Sequence, residues 1–176
     1  MHLKKTKKKN EWLEWGKALL IAVILALFLR SFIFATSVVD GESMEPTLED
    51  GETILFNKMT YLFDEPERED IVIIKKPLKN YVKRIIAMPG ETITVKNGGL
   101  YIDGNLYDQA FLHSDQLTGT GRFGPIKIPE NSYFVMGDNR MISKDSRNGL
   151  GLIQETEIIG KSEFIIFPFN EWSVTD

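Results

Sequence analysis

The sequence predicts a mainly β protein: an antiparallel β-sheet domain with a small β excursion, preceded by one N-terminal transmembrane helix. Three observations support this fold class. With 176 residues and 43% hydrophobic content, the chain has room for one compact domain and an appendage. An uncharged apolar run covers residues 18–29. Beyond it, short runs rich in β-branched and aromatic residues alternate with Gly, Pro, Asn and Asp, which is typical of strands and turns.

The N-terminal segment is predicted to anchor the chain in a membrane. Residues 1–17 form a basic tail with five lysines between positions 4 and 9. Residues 18–35, taken as one helix, would be about 27 Å long, against a hydrocarbon core of about 30 Å. The lysine excess places the tail in the cytoplasm and residues 36–176 on the outer face. A cleavable secretory signal is the alternative, since a short apolar core fits that class too.

Charge and cysteine content exclude several classes of function. Residues 1–30 carry seven Lys/Arg and two Glu, whereas the remainder carries 14 Lys/Arg and 23 Asp/Glu. Because the basic head adjoins an apolar run and the body is acidic, we expect no nucleic-acid partner. The absence of cysteine excludes a thiol nucleophile, a disulfide framework and a Cys-ligated zinc site. No metal or other cofactor is predicted.

The body is predicted to consist of short strands joined by turns. Asn97-Gly98 and Asp103-Gly104 stand at hairpin positions between apolar runs, which predicts two hairpins within residues 92–104. The pattern lapses over residues 108–124, so we expect a small insertion at about residues 100–125. The other predicted strands cover residues 37–40, 52–57, 69–75, 81–88, two runs within 126–136, and 164–167 as the last strand.

Ser43 is the candidate nucleophile, because it lies in a Gly/Pro turn just beyond the apolar segment. A serine hydroxyl is a weak nucleophile at neutral pH and needs a base to take its proton. His2 precedes the apolar segment, so a Ser-His-Asp arrangement would depend on His113, in a polar, turn-prone stretch. A lysine base is the other possibility, and these residues alone leave both open.

Lys83 is the candidate lysine base. In a strand it shares a face with Tyr81 and Ile85, whereas Arg84 points the other way. Apolar surroundings disfavour an ammonium, and a neutral lysine can accept a proton. The alternative is a solvated edge strand with both charges exposed. A third stretch, residues 137–149, crowds acids, arginines and serines into a loop after an apolar strand, as in many active sites and in plain surface turns.

These stretches together resemble the type I signal peptidases of the short bacterial form, also called leader peptidases. The segment SMEPTL at residues 43–48 is similar to the nucleophile box of that family. The segment YVKRIIAMPG at 81–90 is similar to its lysine box, and GDNRMISKDSR at 137–147 to its last box. Their order agrees as well. EDIV at 69–72 resembles a further box, with Glu69 where the family usually has Gly.

The resemblance implies roles for individual residues. Ser43 would be the nucleophile and Lys83 the general base, with Ser143 orienting the lysine. The Ser43 backbone N–H would be one oxyanion donor. Some members carry a hydroxyl residue two positions earlier, where this chain has Gly41, so we expect Gly41→Ser to be tolerated. The other implied residues are the charge pairs Asp145–Arg147 and Asp138–Arg84, and the substrate-binding Met44, Tyr81 and Val82.

The implied activity is that of a membrane-bound serine endopeptidase that removes signal peptides from exported preproteins after small residues, at Ala-x-Ala type sites. The substrate would bind as an added β-strand between the segments that precede Ser43 and Lys83. The resemblance also implies a single-pass protein that acts as a monomer near the secretion translocon and contacts the lipid bilayer. The alternatives are a self-cleaving serine-lysine repressor and a catalytically silent membrane-tethered β module.

Overall fold

The computed structural model describes residues 11–169 and 172–175. The lysine cluster of the predicted basic tail therefore lies outside the described residues. The first element is a helix, α1, over Glu11–Phe32. Its described side chains from residue 11 to 29 are exposed, and the helix is apolar on all sides, which is typical of a membrane span rather than of a surface helix. By length and composition it is able to cross a membrane.

The end of this helix corrects the predicted span of residues 18–35. The helix begins seven residues earlier than that range and stops at Phe32, and strand β1 follows over Phe34–Val38. Ala35 lies opposite Phe56 in the antiparallel pairing of this strand. Apolar side chains continue from the helix into the strand, so hydrophobicity alone did not mark the boundary. Ile33 is the single residue between the two elements.

The mainly β architecture predicted from the sequence is confirmed. The remaining strands are β2 Thr53–Asn57, β3 Ile71–Lys75, β4 Asn80–Ala87, β5 Thr92–Lys96, β6 Gly99–Ile102, β7 Asn105–Leu106, β8 Phe123–Lys127, β9 Ser132–Met136, β10 Ile153–Gln154, β11 Ile158–Phe167 and β12 Ser173–Val174. Short helical segments cover Ser114–Leu117, which we label α2, and the 3-10 turns Thr60–Leu62, Thr118–Thr120 and Glu155–Glu157.

The strands form two antiparallel sheets. The larger has the order β1-β2-β11-β3-β4-β9-β10, with β12 paired to β11. The smaller has the order β7-β6-β5-β8 and contains both predicted hairpins, whose turn residues Asn97 and Asp103 have positive φ. The excursion is thus a sheet of its own that starts at Thr92, earlier than the predicted insertion at about residues 100–125.

Several strands differ from their predicted bounds or were not predicted. The first body strand ends at Val38, whereas residues 37–40 were predicted. The run at 164–167 is the end of the longer strand β11, and it is not the last strand because β12 follows. Strand β10 was not predicted, since two residues are too short to show a period.

The core of the larger sheet is divided by strand β3, whose side chains are buried on both faces. Ile71 and Ile73 pack with Val39, Met44 and Ile54. Their neighbours Val72 and Ile74 pack with a second cluster that includes Ile85, Tyr133 and Val135. This period-2 alternation places a continuous run of apolar residues at the centre of a sheet. Strand β4 lies beside β3, and from Arg84 onward it also pairs with β9.

Candidate active site

Ser43 lies in a turn that is anchored at both ends. Met44 and Leu48 are buried in the core below it. Before the serine, the Gly41 backbone N–H donates to Asp50 Oδ1 over 2.7 Å. The Ser43 carbonyl accepts a hydrogen bond of 3.2 Å from the Asn139 backbone N–H. The turn that carries Ser43 is thereby hydrogen-bonded to the loop that follows β9.

Lys83 contacts the candidate nucleophile directly. Its Nζ lies 2.6 Å from Ser43 Oγ and 2.8 Å from the carbonyl oxygen of Val82. The lysine is 2% exposed and lies opposite Val72 in the pairing of β4 with β3. Burial lowers the pKa of the Lys83 ammonium from 10.5 to about 8, and the carboxylates of Asp145 and Asp138 offset part of this effect. A minor fraction of the amine is therefore neutral near neutral pH, far more than for an exposed lysine.

The alternative in which Lys83 and Arg84 are both exposed on an edge strand is wrong. Lys83 and Arg84 are 2% and 1% exposed, and from Arg84 onward β4 is paired with β3 and with β9. The Arg84 guanidinium forms an ion pair of 2.8 Å with Asp138 and donates to the carbonyl of Glu69 over 3.0 Å. Its flat face lies 4.3 Å from the ring centre of Phe111. Because both charges are desolvated, loss of either partner would leave an unpaired buried ion.

Asp145 and Arg147 form the second charge pair. The guanidinium donates to both carboxylate oxygens, over 2.9 and 2.8 Å, and the Gly137 backbone N–H donates to the same carboxylate over 3.0 Å. Burial by itself would raise the pKa of Asp145, but these bonds hold it below its usual value. Arg147 also donates to the carbonyls of Gly119 and Thr120. The pair therefore links the site to the segment that joins strands β7 and β8 of the smaller sheet.

The hydrogen bond predicted between Ser143 and the lysine is not formed among the described residues, where Lys83 Nζ bonds to Ser43 and Val82. The buried Ser143 side chain packs against Gly137, and its hydroxyl has no hydrogen-bond partner among the described residues. A Cβ added to Gly137 would lie 2.3 Å from both Ser143 Oγ and the Ser43 carbonyl oxygen. Gly137 therefore allows the last box to approach Ser43.

Gly41 has a φ of +94°, which corrects the expectation that serine would be tolerated there. Side chains of L residues rarely adopt this backbone region, although nothing lies within 4 Å of the position that a Cβ would take. The obstacle is the conformation rather than space.

An open cleft of about 440 Å³ leads to Ser43 and Lys83. One wall is residues 37–44 and the other is residues 79–83, with Ile142 and Lys144 completing the lining. Tyr81 and Val82 are half-buried on the second wall. Met44 borders the cleft as well, but its side chain is 1% exposed and belongs to the core.

His113 is exposed and is not one of the residues that line this cleft. Its backbone N–H donates to the side chain of Gln116 over 2.9 Å, at the start of helix α2. The residue next to Ser43 Oγ is the lysine, which favours the lysine alternative over the histidine one. In the described part of the chain, no group of three or more His, Asp or Glu residues is arranged to hold a metal ion.

Sequence reasoning missed two residues that support the site. Thr47 donates from its hydroxyl to Asp138 over 2.7 Å. Arg140 is 2% exposed and donates to the Gly137 carbonyl over 2.9 Å, and burial lowers the pKa of its guanidinium to about 10. Both lie inside the segments already singled out, but a threonine and an arginine in a turn carry no sequence signal that tells a buried partner from a solvated one.

Comparison with known proteins agrees with this fold and shows the family. The chain matches the family described as signal peptidase, peptidase S26, over residues 12–167. It is 49% identical to signal peptidase I T of Bacillus subtilis, covering 96% of this chain and 92% of the relative. It is 36% identical to signal peptidase IB of Staphylococcus aureus, covering 93% and 94%.

A solved structure of a signal peptidase I from Enterococcus faecalis superposes with a TM-score of 0.50 at 30% identity, over 56% of this chain and 97% of that chain. The fold and the comparisons define a serine endopeptidase, a hydrolase of the class that removes signal peptides. The chain belongs to the signal peptidase family, peptidase S26. Family membership and helix α1 together indicate a membrane-anchored protein.

Proposed function

We propose that this protein is the membrane-bound peptidase that cuts N-terminal signal peptides from exported preproteins after small residues, using Ser43 and Lys83 as a catalytic dyad. The observation that carries the proposal is the 2.6 Å contact between Ser43 Oγ and a lysine that is 2% exposed. A buried amine at this distance can take the serine proton, and burial supplies the lowered pKa that this step requires.

The chemistry follows from the contacts of the amine. One N–H of Lys83 is held by the Val82 carbonyl, which leaves the nitrogen lone pair free to accept the Ser43 proton as Oγ attacks the scissile carbonyl. The oxyanion that forms would be stabilised by the Ser43 backbone N–H. The ammonium then returns its proton to the leaving amine, and the acyl ester on Ser43 is hydrolysed by a water that Lys83 deprotonates.

The substrate would bind as an extended strand between two unpaired edges. Strand β1 pairs with β2 on one side, and in the described residues the pairing of β4 with β9 begins only at Arg84. Residues 80–83 therefore offer backbone groups to the cleft opposite those of β1. A peptide between them gains main-chain hydrogen bonds, and the shallow walls leave room for small side chains.

The direction of this peptide follows from the topology. Successive antiparallel pairings, β1 with β2, β2 with β11, β11 with β3 and β3 with β4, make β1 and β4 run in the same direction. Both run from the helix α1 side towards Ser43 and Lys83. A signal peptide whose apolar part lies in the same membrane as α1 would enter from that side and run parallel to both strands.

The proposed location is the cell membrane, with the N-terminus in the cytoplasm and residues 36–176 outside. The protein would act there as a monomer near the secretion translocon. The lysine-rich tail and the apolar helix support this orientation, and a site that follows the helix so closely suits substrates that emerge from the bilayer.

The test is cleavage of a purified preprotein with an Ala-x-Ala site by the full-length protein in detergent micelles. We expect a single cut after the second alanine, seen by mass spectrometry, and no cut by Ser43→Ala. A preprotein whose two alanines are replaced by bulky residues is the matched control. Equal cleavage by Ser43→Ala, or none by the wild type, would reject the proposal.

A further inference from the structure

The loop after strand β9 presents two side chains to the cleft beside the nucleophile. Ile142 and Lys144 line the cleft. The loop is fixed next to Ser43 because the Asn139 backbone N–H donates to the Ser43 carbonyl over 3.2 Å. The Ser143 backbone N–H donates in turn to the Asn139 carbonyl over 3.1 Å.

The backbone that carries these two side chains is anchored on both sides of Lys144. Ser143 and Asp145 are 1% and 0% exposed, so the loop is anchored by every second residue and its other side chains face outward. Ile142 is 57% exposed, and the stem of Lys144 packs over Gly149. An exposed apolar side chain that lines the cleft is free to contact an apolar side chain of a bound peptide, and burial of that contact would be favourable.

The direction of the bound peptide assigns these residues to a part of the substrate. On the proposed function, the signal peptide runs along residues 37–40 and 79–82 towards Ser43 and Lys83 and therefore occupies the walls that lead to the nucleophile. The chain that continues beyond the scissile bond must leave past the other end of the dyad. The loop that carries Ile142 and Lys144 is bonded to Ser43 through the Asn139 N–H and lines the cleft at the dyad, within reach of the chain as it leaves.

We propose that Ile142 and Lys144 contact the first two residues of the mature protein, on the far side of the scissile bond, and set a preference there. This inference rests on the proposed function. Ile142 would favour an apolar side chain, and Lys144 would favour an acidic residue over a basic one. The site thus reads the start of the exported protein in addition to the small residues that precede the cut.

Other charges at the cleft do not remove this selectivity. Asp40 and Lys79 lie 3.4 Å apart and largely offset each other. Glu42, exposed in the nucleophile turn, has the opposite sign to Lys144 and weakens the absolute preference. A comparison of Lys144 variants on paired substrates cancels the contribution of Glu42, because that residue is present in every arm.

The charge test uses two preproteins that differ only in carrying Glu or Lys at the first or the second position after the cut. Their kcat/KM values are measured with the full-length wild type and with Lys144→Glu in detergent micelles at low and high salt. We expect the Glu/Lys ratio to fall by about fivefold or more in the variant, and by less at high salt. Lys96→Glu makes the same change of charge on the smaller sheet, and should leave the ratio unchanged.

The apolar test uses preproteins with Leu or Ser at the same positions. Ile142→Asn should reduce the Leu/Ser ratio by about threefold or more, since it removes one apolar contact. Met141→Asn is the control, because Met141 is 77% exposed but does not line the cleft. If the wild type cleaves these substrates and neither ratio moves in Lys144→Glu and Ile142→Asn, the inference is wrong and the proposed function stands. If the wild type cleaves none of them, both fail.

Discussion

Replacement of Lys83 by Met is expected to abolish cleavage and at the same time to stabilise the folded protein. The amine is 2% exposed, and burial lowers its pKa from 10.5 to about 8. Each pKa unit corresponds to about 1.36 kcal/mol, so keeping this ammonium in the folded protein costs about 3 kcal/mol. Methionine has a similar length and no charge, and removes this cost.

The pH dependence has a definite sign. Below pH 8 the lysine is charged in both the folded and the unfolded chain, so the full cost of burying the ammonium is present. Between pH 8 and 10.5 the folded protein loses the proton first and the cost declines, until both states are neutral. The stability advantage of Lys83→Met should therefore be greatest below pH 8 and disappear towards pH 10.5.

Two assays measure these effects on the full-length protein in micelles. Thermal unfolding followed by circular dichroism should show a midpoint higher by about 6 to 12 °C for Lys83→Met at pH 7, since about 1 kcal/mol shifts Tm by about 2 to 4 °C at this size. Wild-type kcat/KM should rise with pH through about 8. Substitution His113→Ala should leave that profile unchanged.

Three outcomes would refute the reasoning. A difference in stability that does not vary with pH would mean that the pKa of Lys83 is not lowered. Substantial cleavage by Lys83→Met would mean that another group takes the proton. A pH profile that moves in His113→Ala would revive the histidine alternative, in spite of the contact between Lys83 and Ser43.

Three further predictions concern the turn, the loop and the anchor. Gly41→Ser should lower the free energy of unfolding by about 1 to 2 kcal/mol and reduce kcat/KM, because of the φ of +94°; a faster enzyme would instead support a hydroxyl donor at this position. Gly137→Ala should reduce kcat about 100-fold or more, as its Cβ would displace the Ser43 carbonyl, whereas wild-type kinetics would show that the last box can move away freely. Protease added outside protoplasts should digest residues 36–176 and spare the N-terminal segment, and a fully protected body would reverse the proposed topology.

The strands of the body could be predicted because their patterns are local. Residues 52–57 and 81–88 were predicted within two residues of β2 and β4, since alternating or continuous β-branched residues are read directly from the chain. Asn97-Gly98 and Asp103-Gly104 gave the two hairpins of the smaller sheet. What the pattern does not contain is the assignment of strands to sheets. That depends on long-range pairing, and so the start of the smaller sheet at Thr92 was missed.

Some contacts at the site could be predicted from the sequence and others could not. The resemblance brought together Ser43 and Lys83, and the two charge pairs, which the structure places in contact. It did not anticipate that Ser143 would pack on Gly137, nor that Gly41 would have a positive φ. Whether the Ser143 hydroxyl reaches the lysine depends on the path of one loop. A glycine in a turn can be required for its conformation or merely for its size, and the sequence reads the same in both cases.

The one-residue link between helix α1 and strand β1 couples the orientation of the helix rigidly to that of the larger sheet. Ile33 is bonded on both sides: its N–H donates to the Leu29 carbonyl over 2.9 Å, and its carbonyl accepts from the Lys58 N–H over 2.8 Å. A helix of 22 residues is about 33 Å long and fits a hydrocarbon layer of about 30 Å by tilting. Any change in the tilt of the helix would therefore rotate the sheet as well. A thicker or thinner bilayer would thus change the distance between the cleft and the lipid surface.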